Sequence, residues 1–440
     1  MFIERLMNPP TPFLFVPALV SGKYVCTYGA LAEMLAFHKN HYAQAKDSKV
    51  GVILTKAEAL AKMISAVFVL ESLNCDVELQ HWPPLEELNG QLQKMLDDSV
   101  PEDNALGFGA ITFLTSGTTG PKKRYSHRLD DLLKLVKVTG SSDYNRRWFC
   151  GYQTASFAWF QVLIHSLYTW STFIMPSVES TPTPKDVVGL LRNWEVNSIS
   201  LTPSLLKQAL LFSDAYDLIN ICPKVEQITL GGEPTDEFLL KQVDTYFPDA
   251  RLTQIYASTE YGRMFSVHDG KPGFPKSYLY NEVDGKEFRV SKDFVLEVRF
   301  VGQESVSLWM STGDVVREVD NRIRFCGRID DEILVCGVKV LPLQVEEVLR
   351  KAPGVLDVRV YGHKNELTGA VVAAEVVIDA SWKKKVENHD ATLLSDTDSF
   401  LANFGVYCDD KLPRHFRPVV VKIVDKISLT QANKASRVVQ

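Results

Sequence analysis

An α/β fold built from more than one packed unit is predicted by three features of the sequence. Strand and helix patterns alternate through the first half of the chain, a hairpin pattern follows, and the alternation restarts after Gly327-Arg328. At 440 residues the chain exceeds what one ordinary core supports, which points to two or three units. The expected architecture is a large N-terminal domain of packed mixed sheets with helices and a small β-subdomain, spanning 1–329. An α+β C-terminal domain then spans 330–440.

In chain order, the apolar run Lys49 to Leu54 reads as a buried strand, and Ala57 to Leu73 as the amphipathic helix that follows it. This rhythm implies a mostly parallel sheet with helices on its faces. From Trp148 to Met175 the chain is rich in aromatics, including Phe149, Tyr152, Phe157, Trp159, Phe160, Tyr168, Trp170 and Phe173. Asn197 to Leu201 and Gln227 to Leu230 read as strands flanking a helix over Ser204 to Phe212. Phe294 to Phe300 and Ser305 to Trp309 read as a hairpin, the mark of a β-subdomain. After the boundary at Arg328 to Asp331 come a strand at Ile333 to Val335, a helix at Gln344 to Lys351, and strands at Val355 to Tyr361 and Ala370 to Ile378. A polar segment, Trp382 to Thr397, reads as a helix with a loop. The turn Leu412-Pro413 and a strand at Pro418 to Ile423 follow. About a hundred residues suffice for an independent domain.

Composition excludes several classes. Hydrophobic content of 45% with 23% charged residues is that of an ordinary globular protein. A net charge of -6 and the lack of a basic stripe argue against a nucleic-acid partner. The seven cysteines are widely spaced and form no CxxC or zinc pattern, which reads as reduced thiols in a cytoplasmic setting. The first residues, MFIERLMNPPTPF, carry early charges and prolines instead of a signal peptide's apolar core. No apolar run reaches membrane-spanning length.

The stretch Ile111 to His127, ITFLTSGTTGPKKRYSH, carries the first chemical signal. A β-branched run stops at Thr115-Ser116-Gly117-Thr118-Thr119-Gly120, and Pro121, Lys122, Lys123 and Arg124 follow. Glycines let backbone N–H groups approach a phosphate, hydroxyls donate to it, and lysines supply charge. The spacing is not that of a Walker A loop, because no Ser or Thr follows the lysine in the required pattern. Taken alone, such a loop is more often a flexible surface turn with a solvated basic flank.

Other segments change that balance. Leu230-Gly231-Gly232-Glu233-Pro234, Tyr256-Ala257-Ser258-Thr259-Glu260, Ser311-Thr312-Gly313-Asp314, Gly327-Arg328-Ile329-Asp330 with Gly337, and Thr430-Gln431-Ala432-Asn433-Lys434 follow in order. With TSGTTGPKK, this set resembles the adenylate-forming superfamily of acyl-CoA synthetases, adenylation domains and luciferases, in the order found in that family. The resemblance spans residue 111 to the C-terminus.

The resemblance implies a division of roles. Thr115 to Gly120 with Lys122 would hold the β- and γ-phosphates of ATP, and Glu260 would ligate Mg²⁺, a hard cation suited to carboxylate and phosphate oxygens. Thr259 would touch the α-phosphate. Lys434 would reach the α-phosphate and the substrate carboxylate from a mobile C-terminal lid, which turns on a hinge at Asp330. Tyr256 would stack on adenine beside a wall of Gly231, Gly232 and Glu233. Asp314 would accept from both ribose hydroxyls, a bidentate task suited to a carboxylate. Arg328 would contact ribose or phosphate, and Lys339 would stand near CoA phosphates. His127 falls on a family position with packing and function equally open.

Two departures stand out. Asn433 replaces a glycine before the lysine, a mild change because Asn tolerates left-handed angles. Ala257 also replaces a glycine and bears on acyl-pocket size. Where amino-acid activators carry an Asp for the substrate ammonium, the alignment gives Ser156, and no acidic residue lies between Gly151 and Pro176. A buried, uncompensated ammonium is costly, which disfavours an amino-acid substrate. The aromatic segment can line a pocket for a planar ring or belong to the core; both readings stand.

Carboxylates acylate poorly because the leaving oxide is too basic. Joining them to AMP with loss of pyrophosphate supplies a good leaving group. The expected function is therefore ATP-dependent activation of a small carboxylic acid, an aryl acid among the candidates. Transfer to a thiol follows, either CoA or the phosphopantetheine of an acyl carrier protein. A fatty-acid ligase, a non-catalytic nucleotide- or acyl-binding homologue and a luciferase-like oxidoreductase are the alternatives.

Overall fold

The computed structural model describes residues 2–43, 49–54, 60–81, 109–114, 123–138, 140–177, 181–212, 224–302, 308–365, 369–379, 382, 396–430, 432 and 434. Elements and counts below refer to the described residues. The fold is mixed α/β and divides into two compact units. The first comprises Met1–Glu233, Lys241–Asp269 and Gln431–Asn433; the second comprises Pro234–Leu240, Gly270–Thr430 and Lys434–Gln440.

The first unit contains strands β1 (Pro17–Ser21), β2 (Tyr24–Thr27), β3 (Lys49–Leu54), β4 (Asp76–His81), β5 (Ile111–Leu114), β6 (Arg124–His127), β7 (Arg147–Cys150), β8 (Thr172–Met175), β9 (Ser198–Leu201), β10 (Gln227–Gly231), β11 (Arg251–Ser258) and β12 (Gly262–Val267). Eight form a sheet in the order β12-β11-β10-β9-β7-β8-β1-β2. Its inner pairings are parallel and its two outermost, β11 with β12 and β1 with β2, are antiparallel. A second sheet runs β3-β4-β5-β6, with β5 and β6 antiparallel.

The helix Phe157–Tyr168 explains how these sheets share a core. Its N-terminus is capped by Ser156, whose Oγ accepts from Trp159 N at 3.2 Å. Phe160 meets Phe113 of β5 at 5.5 Å between ring centroids, while Trp159 meets Phe173 of β8 at 5.9 Å. The helix therefore buries aromatic side chains against both sheets. Trp148, Phe149, Tyr152, Phe157, Trp159, Phe160, Trp170 and Phe173 are all buried. Of the two readings of the aromatic segment, core accounts for most of it.

The second unit contains β13 (Phe274–Pro275), β14 (Lys286–Val290), β15 (Val295–Phe300), β16 (Met310–Val319) and β17 (Arg322–Arg328), an antiparallel sheet in the order β13-β17-β16-β15-β14. A β-subdomain was expected within residues 1–329 as a hairpin of Phe294 to Phe300 with Ser305 to Trp309; the sheet falls instead in the second unit, and β15 pairs with β14 and with β16, which begins at Met310. Gly273 enters the sheet at a φ of +69°, and a side chain there would run into the Ile323 carbonyl. The α+β C-terminal domain follows, with β18 (Ile333–Val335), β19 (Val338–Val340), β20 (Val355–Asn365), β21 (Gly369–Ile378) and β22 (Val420–Ile423). The order is β19-β18-β21-β20, and β22 pairs parallel to β21. Helices Pro342–Leu349 and Asp396–Lys411 contribute Val345, Leu349, Phe400, Phe404 and Cys408 to its core. The second of these helices was not expected. The polar segment before it lies largely outside the described residues.

Candidate active site

In the first unit, strand pairing brings the site residues together. Antiparallel pairing sets Phe113 opposite Tyr125 and Leu114 opposite Arg124, so the flanks of the Gly/Thr stretch are held side by side. Thr115 to Gly120 and Lys122 themselves lie outside the described residues. Tyr125 and His127 share one face of β6 by the two-residue repeat of a strand. The His127 Nε2–H donates to the Thr259 carbonyl at 2.6 Å; a carbonyl can only accept, so the proton sits on Nε2. Its ring packs on Phe157 at 5.3 Å. Burial pushes His127 below its ordinary pKa, although the bond to Thr259 works the other way. Beside it the Tyr125 hydroxyl hydrogen-bonds to the Glu260 carboxylate. Burial first, and the neighbouring Glu260 charge second, push the phenol up to about 12. Glu260 is exposed in the turn between β11 and β12, with Thr259 half-buried before it.

Tyr256 lies on β11 opposite Phe265, with 5.0 Å between ring centroids. A bulge follows between Tyr256 and Ala257, a device that re-aims side chains near sites. Gly231 ends β10 with the Tyr152 hydroxyl close by, a place where a Cβ would fit poorly. Gly232 has a φ of +86°, and the Glu233 Oε2 accepts from Ser204 N at 3.1 Å, capping the helix Pro203–Phe212. Glu233 thus has a structural task in addition to any at a nucleotide.

In the second unit, Asp314 and Arg328 are directly paired across β16 and β17, with Nη1 3.4 Å from Oδ1. Arg328 also donates to the Thr312 carbonyl at 3.3 Å, and Thr312 Oγ1 accepts from Asp314 N at 3.2 Å. Gly313 between them sits at a φ of +75°, which favours glycine. Asp330 is exposed in the short 3-10 turn Ile329–Asp331. Lys339 on β19 pairs with Glu332 at 2.7 Å, which raises its pKa. Both line a cavity of about 420 Å³ with Phe294, Ile329 and Leu341. Lys434 is exposed in a turn closed by Thr430, whose N–H donates to the Lys434 carbonyl at 2.8 Å.

These local geometries sit within a recognisable pattern. Residues 38–281 match the family model for the AMP-binding enzyme, and residues 344–434 match that for the AMP-binding enzyme C-terminal domain. The chain belongs to the AMP-binding enzyme family. This AMP-binding enzyme is thereby placed in the adenylate-forming superfamily. It is 24% identical to the 4-chlorobenzoate–CoA ligase of Pseudomonas sp. (strain CBS-3), across 96% of this chain and 83% of that one. It is 25% identical to the 3,4-dihydroxybenzoate–(aryl-carrier protein) ligase of Bacillus anthracis over 209 residues, and spans about half of that relative, 46%. Its fold is similar to that of the anthranilate CoA ligase AuaEII in complex with anthranoyl-AMP, with a TM-score of 0.69 at 15% identity, covering 99% of this chain and 95% of the other.

Tyr125 was not singled out from the sequence. The signal was there: it stands two positions before His127 on a strand, so any role for one face of β6 involves both. Among the described residues no cluster of three or more metal-ligating side chains occurs. A single carboxylate still fits Mg²⁺, which keeps several waters and takes phosphate oxygens from its substrate.

Proposed function

We propose that this AMP-binding enzyme is an AMP-forming acid–thiol ligase. The carboxylate of a small acid attacks the α-phosphorus of ATP, the bond to the β-phosphate oxygen breaks, and pyrophosphate leaves. A thiolate then attacks the acyl carbon of the adenylate and AMP departs. The observation that carries this reading is the cluster of Tyr125, His127, Thr259 and Glu260. It sets a carboxylate beside the strand that leaves the Gly/Thr stretch.

In this reading Thr115 to Gly120 and Lys122 hold the terminal phosphates, and Thr259 touches the α-phosphate. A Mg²⁺ ion on Glu260 would neutralise phosphate charge. Tyr256, Gly231, Gly232 and Glu233 border the adenine, while Asp314 and Arg328 take the ribose. Lys434 supplies positive charge where negative charge develops. The C-terminal domain turns about Asp330 between the half-reactions; the gap between the two family matches, from 281 to 344, contains this residue. Lys339 and the thiol arm of CoA or a carrier-protein phosphopantetheine belong to the second step.

An aryl acid is the favoured substrate class. Several relatives are named for aryl acids, and Ser156, where an amino-acid activator would carry Asp, serves as a helix cap. The test is AMP formation with ATP, Mg²⁺, a panel of aryl, fatty and amino acids, and CoA or a carrier protein. AMP that accumulates only with both acid and thiol supports the ligase. AMP formation independent of thiol across the panel, or none at all, argues against it.

A further inference from the structure

The chain leaving β7 passes the end of β9 on its way to the next helix. Strands β10, β9 and β7 are neighbours in that order and run parallel. Their carboxyl ends share the edge of the sheet at which open α/β folds receive ligands. Gly151 makes the close passage possible. Its N–H donates to the Ser200 carbonyl at 2.8 Å, and a Cβ there would lie 2.6 Å from the Leu201 Cβ. Only glycine brings the backbone that near. The next residue, Tyr152, is buried against the ends of β9 and β10.

A buried phenol needs partners for its hydroxyl, and that of Tyr152 finds them on both strands. It donates to the Leu201 carbonyl of β9 at 3.1 Å, and it also hydrogen-bonds the Ser200 side chain and the Gly231 backbone. Its one proton goes to a carbonyl, so the Ser200 hydroxyl and the Gly231 N–H donate to it. Gly231 ends β10, and a Cβ built on it would stand 3.1 Å from this hydroxyl, with the Ile255 carbonyl of β11 next at 3.6 Å. Gly232 follows with its φ of +86°, and the Glu233 carboxylate accepts from Ser204 N just past the end of β9. The ends of β9 and β10 are thus tied twice, by the phenol at Gly231 and by the carboxylate at Glu233. Between the two ties the chain has no side chain of its own to fix its height.

We propose that Tyr152 is a positioning residue for nucleobase binding: its hydroxyl sets the place of Gly231, and with it the glycine wall against which the base lies. The inference rests on the reading that Gly231, Gly232 and Glu233 border the adenine. It adds a residue from another strand that acts through the Gly231 backbone without touching the nucleotide. A flat ring gains from close and even contact, and a gap of about 0.5–1 Å forfeits roughly a quarter to a half of a dispersion contact. A wall that drifts without its tie therefore weakens the base and spares the phosphates.

The test is calorimetric binding of ATP and of inorganic tripolyphosphate, each with Mg²⁺, to the intact protein. The two ligands share the phosphates and differ by the nucleoside. Tyr152→Phe keeps the ring and removes the hydroxyl; it should weaken ATP about tenfold and leave tripolyphosphate unchanged. Gly231→Ala should weaken ATP about tenfold or more in the wild-type background. It should cost about threefold or less once Tyr152→Phe has removed the atom its methyl would meet. Equal weakening of both ligands by Tyr152→Phe makes the residue structural only and overturns the proposal. So do additive effects of the two substitutions, and a wild type that binds ATP no tighter than tripolyphosphate. Should Gly231→Ala not fold, the two-ligand comparison in Tyr152→Phe decides. Should Tyr152→Phe not fold, Ser200→Ala, which takes one donor from the hydroxyl, should weaken ATP about threefold and tripolyphosphate not at all; no selective loss overturns the proposal. Acid-dependent pyrophosphate release by the wild type is read separately. A selective loss of ATP without any such release keeps the role of Tyr152 and sinks the ligase reading; release with an unmoved ATP affinity in Tyr152→Phe does the reverse.

Discussion

The Nε2 of His127 and the carbonyl oxygen of Thr259 are joined at 2.6 Å across a chain separation of 132 residues. This bond ties the strand that leaves the Gly/Thr stretch to the turn carrying Glu260. His127→Phe preserves the packing on Phe113 and Phe157 but removes the donor. A lost, partly buried hydrogen bond costs about 1–2 kcal/mol, so kcat/KM for pyrophosphate release should fall about tenfold. Full activity in His127→Phe would reduce the residue to packing.

Glu260 and Tyr125 form a second test. Glu260→Gln should lower pyrophosphate release about a hundredfold or more and raise the Mg²⁺ concentration needed for half-maximal rate. Tyr125→Phe keeps the carboxylate and should cost less than about tenfold, because one hydrogen bond is lost. A Mg²⁺ titration of the two variants separates them. An unchanged Mg²⁺ requirement in Glu260→Gln would remove the metal from that residue.

In the proposed reaction Lys434 serves the first half-reaction and Asp330 the passage to the second. Lys434→Ala should lose about a hundredfold or more in adenylate formation and leave thiol transfer from supplied adenylate nearly intact. Asp330→Pro should spare adenylation and cripple thioester formation by fixing φ at the hinge. Single-turnover assays of each step check both. Survival of both steps in Lys434→Ala would end the lysine's catalytic assignment.

Glu347, on helix Pro342–Leu349, is grasped by Arg317 at 2.5 Å and Arg324 at 3.2 Å. The two arginines lie before Asp330 and the carboxylate after it, so rotation about Asp330 would have to break this contact. Glu347→Gln should change the ratio of adenylation to thioester rates by about threefold to tenfold, since such pairs are worth about 1 kcal/mol. Equal scaling of both rates would contradict the rotation.

Much of the fold was legible because its signals are local. Lys49–Leu54 and Ile333–Val335 are strands as expected, each a short β-branched run. The helix Asp396–Lys411 escaped because Gly405 and polar neighbours mask its stripe, although Phe400, Phe404, Cys408 and Leu412 recur at four-residue spacing. The aromatic segment was ambiguous for a different reason. A helix buried against two sheets loses the amphipathic contrast that separates core from pocket. Thr259, Glu260 and Tyr256 stand in one contiguous motif, which is why the sequence offers them together as candidates. The bond between His127 and Thr259 was not legible, because only the fold brings β6 to the turn after β11.

Glu71 gives a stability test independent of catalysis. It is half-buried and accepts from Leu129 N at 3.3 Å, and burial raises its pKa from 4.5 to about 7. The folded state therefore holds this proton more tightly than the unfolded chain. The stabilisation is fully present below about pH 4.5 and is lost as pH rises through about 7. Glu71→Gln, which mimics the protonated form, should match wild type at pH 4 and exceed it at pH 8 by about 1–3 kcal/mol. Urea unfolding at the two pH values checks this; a wild type more stable at pH 8 would refute it.

The most direct test of the central claim is acid-dependent exchange of labelled pyrophosphate into ATP in the presence of Mg²⁺. An acid-activating enzyme makes the adenylate reversibly, so exchange should appear with a suitable acid, vanish without it, and fall steeply in Lys434→Ala. Exchange that ignores the acid, or its absence across aryl, fatty and amino acids while ATP still binds, would contradict acid activation.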